Sequence, residues 1–125
     1  MRVLVVDDNT DIAELLGEAL MLEGFQTAVE HDGRAALARW SSFAPHAAVL
    51  DLGLPDMDGY ALARAVRQAH GQDPLLIAAT GYGTDADRSR ATDAGFDSHL
   101  VKPASVRDIV RALDERFVET TPSKG

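Results

Sequence analysis

Asp51 closes the apolar run Ala47-Ala48-Val49-Leu50, and the acidic pair Asp7-Asp8 closes a second run, Val3-Leu4-Val5-Val6. Both runs have the continuous apolar character of parallel strands buried on two faces. Neighbouring parallel strands point their C-termini the same way, so this pattern brings three carboxylates distant in sequence into one crevice. Like charges about 4 Å apart at an effective dielectric of 20 repel by roughly 4 kcal/mol per pair, so the cluster needs compensation. A hard divalent cation such as Mg²⁺, which accepts carboxylates together with water and phosphate oxygens, is one source. Lys102, just after the short run Ser98-His99-Leu100-Val101, is another. Cation, lysine and three ionised carboxylates balance formally while leaving room for a phosphoryl group.

The elements that must position these groups follow from periodicity. Residues 2–6, 25–30, 47–51, 75–79 and 97–101 read as strands, with helical patterns between and after them. Ile12, Leu15, Leu16, Ala19 and Leu20 mark the expected core face of the first helix, which Gly24 ends. Val106, Ile109, Val110, Leu113 and Phe117 form the stripe of the last, with Ser105 and Asp108 placed to cap its start. The fourth helix, roughly 84–94, has almost no apolar stripe and is expected to pack weakly. The second and fifth strands are mixed in polarity and belong at the edges. With right-handed crossovers this gives a flavodoxin-like (βα)5 α/β fold, a doubly wound parallel sheet of order 2-1-3-4-5, whose ligand crevice lies between strands one and three.

The 125 residues suit one domain, expected over 1–118 with a frayed tail at 119–125. The absence of cysteine excludes disulfides and thiolate zinc sites. A formal charge of −8 argues against direct nucleic-acid binding, which relies on a basic surface. No apolar stretch approaches a membrane span, and the start runs directly into a strand, so a soluble cytoplasmic protein is expected.

Alone, each candidate site residue has a simpler explanation. Acidic residues after strands are commonly turns or helix caps, and Asn9 or Thr10 is available for capping the first helix in place of Asp7-Asp8. Thr80 ends the run Leu75-Leu76-Ile77-Ala78-Ala79, where Gly81 and Gly83 would let the backbone approach an anion. Pro103 can fix the direction of Lys102 through a cis bond. His31, His46 and His70 show no grouping that suggests a metal site.

Together, Val3 to Asp8, Val49-Leu50-Asp51-Leu52-Gly53-Leu54-Pro55-Asp56-Met57-Asp58-Gly59, Ala79-Thr80-Gly81 and Leu100-Val101-Lys102-Pro103 resemble, in order and spacing, the receiver domains of two-component response regulators. The resemblance implies that Asp51 accepts a phosphoryl group from a sensor histidine kinase or histidine phosphotransfer protein. It further implies Mg²⁺, or Mn²⁺ in its place, on Asp8, Asp51 and the Gly53 carbonyl, with Asp7 acting through water. Lys102 and Thr80 would hold phosphoryl oxygens, and Thr80, His99 and Pro103 would form the switch toward a downstream protein. The implied assembly is a monomer or a weak phosphorylation-dependent dimer.

His99 stands where many receivers have an aromatic residue, and phosphorylation is expected to let its ring turn inward. Gly53 and Tyr82 flank access to the phosphoryl group. A rival enzyme, a haloacid-dehalogenase-like phosphatase, usually carries a second aspartate where this chain has Gly53. A receiver-like module that no longer accepts phosphate normally lacks one or more of the site residues, and all five are present here.

Overall fold

The computed structural model describes residues 1–81 and 83–118. The elements alternate five times: β1 (Arg2–Val6), α1 (Thr10–Leu22), β2 (Gln26–Glu30), α2 (Gly33–Phe43), β3 (Ala47–Asp51), α3 (Gly59–His70), β4 (Leu75–Thr80), α4 (Asp85–Ala94), β5 (Ser98–Val101) and α5 (Val106–Val118). All strand pairs are parallel and the sheet order is β2-β1-β3-β4-β5, as expected. Thr80 lies inside β4 as its last residue rather than just beyond it. Tyr82, the side chain of Phe117 and the tail at 119–125 lie outside the described residues.

Alternation along the central strands divides the core into two layers. Leu4, Val6, Leu50, Leu76 and Ala78 pack with α2, α3, the two alanines of α4 and Phe96 in the loop before β5, whereas Val3, Val5, Val49, Ile77 and Ala79 pack with α1 and α5. Leu4, Leu50, Leu76 and Ile77 are fully buried, and each contributes about 2 kcal/mol of transfer free energy. β3 and β4 are buried throughout, while β2 and β5 are mixed, which explains their edge positions.

The first helix keeps part of its expected face, with Leu20 buried and Leu16 packed against the core, and departs from it at Ile12 and Leu15. Ala13, Gly17 and Leu20 are buried, whereas Ile12 and Leu15 are 48% and 69% exposed. The cause is close approach to β2. A Cβ on Gly17 would sit 2.8 Å from Val29 Cγ2, and the Gly17 carbonyl accepts a hydrogen bond from Thr27 Oγ1 at 3.2 Å. Ala13 and Gly17 thus form the close contact line together with Leu20, and Ile12 and Leu15 lie at its border.

Capping follows the sequence more closely. Asn9 accepts from the Ile12 amide, Asp58 from the Ala61 amide, Thr84 from the Asp87 amide and Ser105 from the Asp108 amide. In α4 the buried residues are Ala91 and Ala94 alone, which bears out the expected lack of an apolar stripe.

Candidate functional site

β1 and β3 are directly paired, with Val6 opposite Leu50, so their C-terminal carboxylates meet. One oxygen from each of Asp7, Asp8 and Asp51 lies within 4.8 Å of the others. Asp7 and Asp51 are buried and Asp8 is exposed. This all-oxygen donor set, open on one side, suits a hard divalent cation of the Mg²⁺ type, which retains waters among its ligands.

Lys102 follows β5, and its amide donates to the Thr80 carbonyl at 2.6 Å, extending the β4–β5 ladder by one residue. The Lys102–Pro103 bond is cis, in keeping with the sequence expectation. Lys102 Nζ reaches Asp7 Oδ2 at 3.1 Å and Asp51 Oδ1 at 3.2 Å, joining both buried acids. Burial works against the ammonium charge, but hydrogen bonds to Asp7 and Asp51 and their negative charges outweigh it. The pKa of Lys102 is therefore raised above its ordinary value.

Thr80 is buried at the end of β4, beside the end of β3. The loop after it shows a partial difference from expectation. A Cβ on Gly81 would meet nothing within 4 Å, but one on Gly83 would lie 2.6 Å from Val101 Cγ2. Gly83 therefore allows close packing of this loop against Val101 of β5.

Around Asp51, the Gly53 amide donates to Oδ1 at 3.2 Å, and a Cβ at residue 53 would meet no atom within 4 Å. Gly59 is tighter: its Cβ would lie 2.7 Å from both the Asp51 carbonyl oxygen and Leu52 Cα. This contact seats the start of α3 directly on the strand end that carries Asp51.

His99 does not contact the acidic cluster, being placed on β5 opposite Ala78. The residue is half-buried, with Nδ1 and Nε2 shielded from solvent and without hydrogen-bond partners. The small side chain of Ala78 beside it accounts for the space.

Supporting residues missed in the sequence include His31, whose Nδ1 lies 3.0 Å from the Asp7 carbonyl oxygen. Asp56 is another: its two oxygens accept the amides of Gly33 and Arg34, tying the loop after Asp51 to the start of α2. These bonds lower its pKa below the usual carboxylate value. Asp56 lies in a recognisable loop motif, but its partners are twenty-odd residues away and gave no local signal.

Residues 3–114 match the response regulator receiver domain family. The chain is 36% identical over 113 residues to the transcriptional regulatory protein TrcR of Mycobacterium tuberculosis, covering 90% of this chain and 44% of that protein. It is 33% identical over 125 residues to the response regulator MprA of Mycolicibacterium vanbaalenii, covering 100% and 54%. The chain thus spans about half the length of the curated relatives it matches.

Among solved structures, it resembles a CheY-like response regulator receiver domain protein from Methanospirillum hungatei, with a TM-score of 0.86, 28% identity and 94% of each chain covered. A chemotaxis response regulator, CheY4 of Vibrio cholerae, gives a TM-score of 0.84 at 25% identity, covering 91% of this chain and 96% of that one. Sheet order, paired strand ends and sequence similarity therefore agree, and the chain belongs to the response regulator receiver domain family.

Proposed function

We propose that this domain is a cytoplasmic, phosphorylation-dependent switch that takes a phosphoryl group onto Asp51 from a phosphohistidine of a sensor kinase or phosphotransfer protein. The observation that carries this reading is the single ammonium of Lys102 bridging the buried carboxylates of Asp7 and Asp51. In the transfer, an Asp51 carboxylate oxygen attacks phosphorus in line with the departing imidazole nitrogen. The P–N bond breaks with its electron pair going to the imidazole, and an acyl phosphate remains.

Lys102 can then exchange its bond to Asp51 for one to a phosphoryl oxygen, offsetting the charge that gathers there. The Thr80 hydroxyl, on the neighbouring strand end, is the second proposed ligand to those oxygens. Asp8, Asp51 and the Gly53 carbonyl would hold Mg²⁺ or Mn²⁺, with Asp7 acting through water. Such an ion supplies charge neutralisation and orientation of the phosphoryl oxygens when bound.

A protein donor is supported by the surroundings of the crevice. Ile12, Leu15, Ala19, Pro103 and Val106 line an apolar groove of about 630 Å³ that reaches Asp51. Exposed Ile12 and Leu15 give a partner something to cover beside the acceptor. The groove would seat apolar side chains of the donor while its phosphohistidine enters over Gly53. The proposed response is a change in the α4–β5–α5 surface, transmitted from Thr80, His99 and Pro103.

The test is incubation with Mg²⁺ and a small phosphodonor, followed by assay for an acid-stable, base-labile phosphoryl group. Labelling is expected in the parent and lost in Asp51→Asn, with both folded. Equal labelling of the two would overturn the assignment of Asp51. Lys102→Ala is expected to retain metal binding while losing the phosphorylation-induced amide shifts around β4 and β5.

A further inference from the structure

In the β4–β5 register, Ala78 lies opposite His99 and Thr80 opposite Val101. Registered residues of parallel strands share a face, so His99 occupies the same layer as Thr80, beneath α4. A neutral imidazole carries one N–H donor and one acceptor nitrogen. Here both nitrogens are buried and neither has a hydrogen-bond partner. Polar atoms left this way are uncommon in folded proteins and point to a function or to a second conformation.

The helix above the ring is suited to respond. Ala91 and Ala94 are its buried residues, and its remaining surface is charged or polar. A cavity of about 390 Å³ opens between α4, β5 and α5, bordered by Arg88, Ala91, His99, Asp108, Arg111 and Glu115. The ring therefore has space in which to turn without unfolding either helix.

The charges around it favour a neutral ring in the buried position. From α4, Arg88 opposes an imidazolium and Asp87 favours it, while burial is the largest influence and also opposes charge. The pKa of His99 is consequently lowered. From α5, Asp108, Arg111 and Glu115 border the cavity, and Arg111 Nη1 lies 3.9 Å from Asp108 Oδ1, so the Asp108 charge is engaged and Glu115 is the carboxylate left facing the cavity. On the strand side, Asp97 is bound to Arg67 and Arg116, so its charge is already engaged. An imidazolium would need acceptors for two N–H groups, and the buried position provides none.

We propose that His99 is a proton-driven wedge beneath α4: the neutral ring packs inward, and the protonated ring swings into the cavity mouth toward Glu115, releasing α4. This device concerns the α4–β5–α5 face and operates whether or not Asp51 is phosphorylated. Acidification then biases the same surface that the proposed phosphoryl switch uses, giving the domain a second input. Its direction is fixed by solvation, since the charged ring gains water by leaving and the neutral ring gains packing by staying.

The test is an NMR titration of the unphosphorylated full chain from about pH 8 to about pH 5, across the ordinary histidine range. It follows His99 imidazole carbons, α4 backbone amides and amide exchange. Expected results are weaker proton binding at His99 than at free histidine, α4 amide shifts with the same midpoint, and faster α4 exchange on the acid side. His99→Phe and His99→Gln should each remove the coupled transition.

The idea is overturned if α4 amides stay still while His99 titrates, if they move equally in both variants, or if the ring never takes up a proton before unfolding. Should either variant fail to fold, the parent titration alone still decides, because a midpoint at the free-histidine value with a static α4 rejects the wedge. Phosphodonor labelling of the same sample reports separately on Asp51.

Discussion

Helices α3 and α4 lie side by side on one face of the sheet, both with side-chain N-caps, yet they are anchored very differently. α3 buries Tyr60, Leu62, Ala63 and Val66 and begins at Gly59, in contact with the strand end bearing Asp51. Arg67, near its end, donates to the carbonyls of Gly95, Gly71 and Pro74 and to Asp97. α4 buries two alanines. A further tie comes from its surface, where the Arg90 guanidinium lies 4.1 Å from the Tyr60 ring centroid and 3.8 Å from Asp58. The helix beside Asp51 is thus fixed by large apolar groups, and the helix beyond Thr80 is held by small ones. The proposed switch would use this asymmetry, with Asp51 held in position while the α4 surface shifts at low cost.

The strongest challenge to this contrast is Leu62→Ala, which should lower global stability by about 3 kcal/mol through lost burial and a cavity. Urea unfolding followed by circular dichroism measures it, and a loss no larger than that of an α4 alanine substitution would remove the distinction. Gly59→Ala comes next, at about 2 kcal/mol, because the added methyl group must push against backbone at Asp51 and Leu52. Its sharper signature is functional. Labelling by a small phosphodonor should fall more than stability predicts, since α3 can relieve the clash only by displacing the acceptor strand end.

Ala91→Gly should cost about 1 kcal/mol, expressed mainly as local opening. Hydrogen exchange would show faster α4 amides with α3 amides unchanged, and equal acceleration in both helices would mean that they open as one unit. The smallest effect belongs to Arg90→Ala, about 0.5 kcal/mol for an exposed cation–π contact. Amide shifts confined to α4 and the Tyr60 region would identify that contact as an adjustable tie.

Much of this arrangement was legible in the chain. The continuous apolar runs at 3–6, 47–50 and 75–79 identified central strands because a strand covered on both sides has no polar face to present. The mixed runs identified the edges, and acidic residues at the ends of two central strands indicated the crevice. The weak packing of α4 was equally visible, since a helix lacking an apolar stripe has little to bury. Less legible was the orientation of α1. Its periodicity favoured Ile12 and Leu15, but contact with β2 selected the line of smallest residues, Ala13 and Gly17.

The sequence by itself determined the alternating strands and helices, the acidic strand ends and the residue types available for phosphoryl chemistry, because these depend on local periodicity and composition. Only the tertiary structure decided that Lys102 joins Asp7 to Asp51, that Asp56 caps α2 from across the chain, and that His99 buries two partnerless nitrogens. The physical reason is range. Hydrophobic patterning acts within an element, whereas ion pairing and desolvation depend on angstrom-scale distances between residues that meet only when separate elements pack.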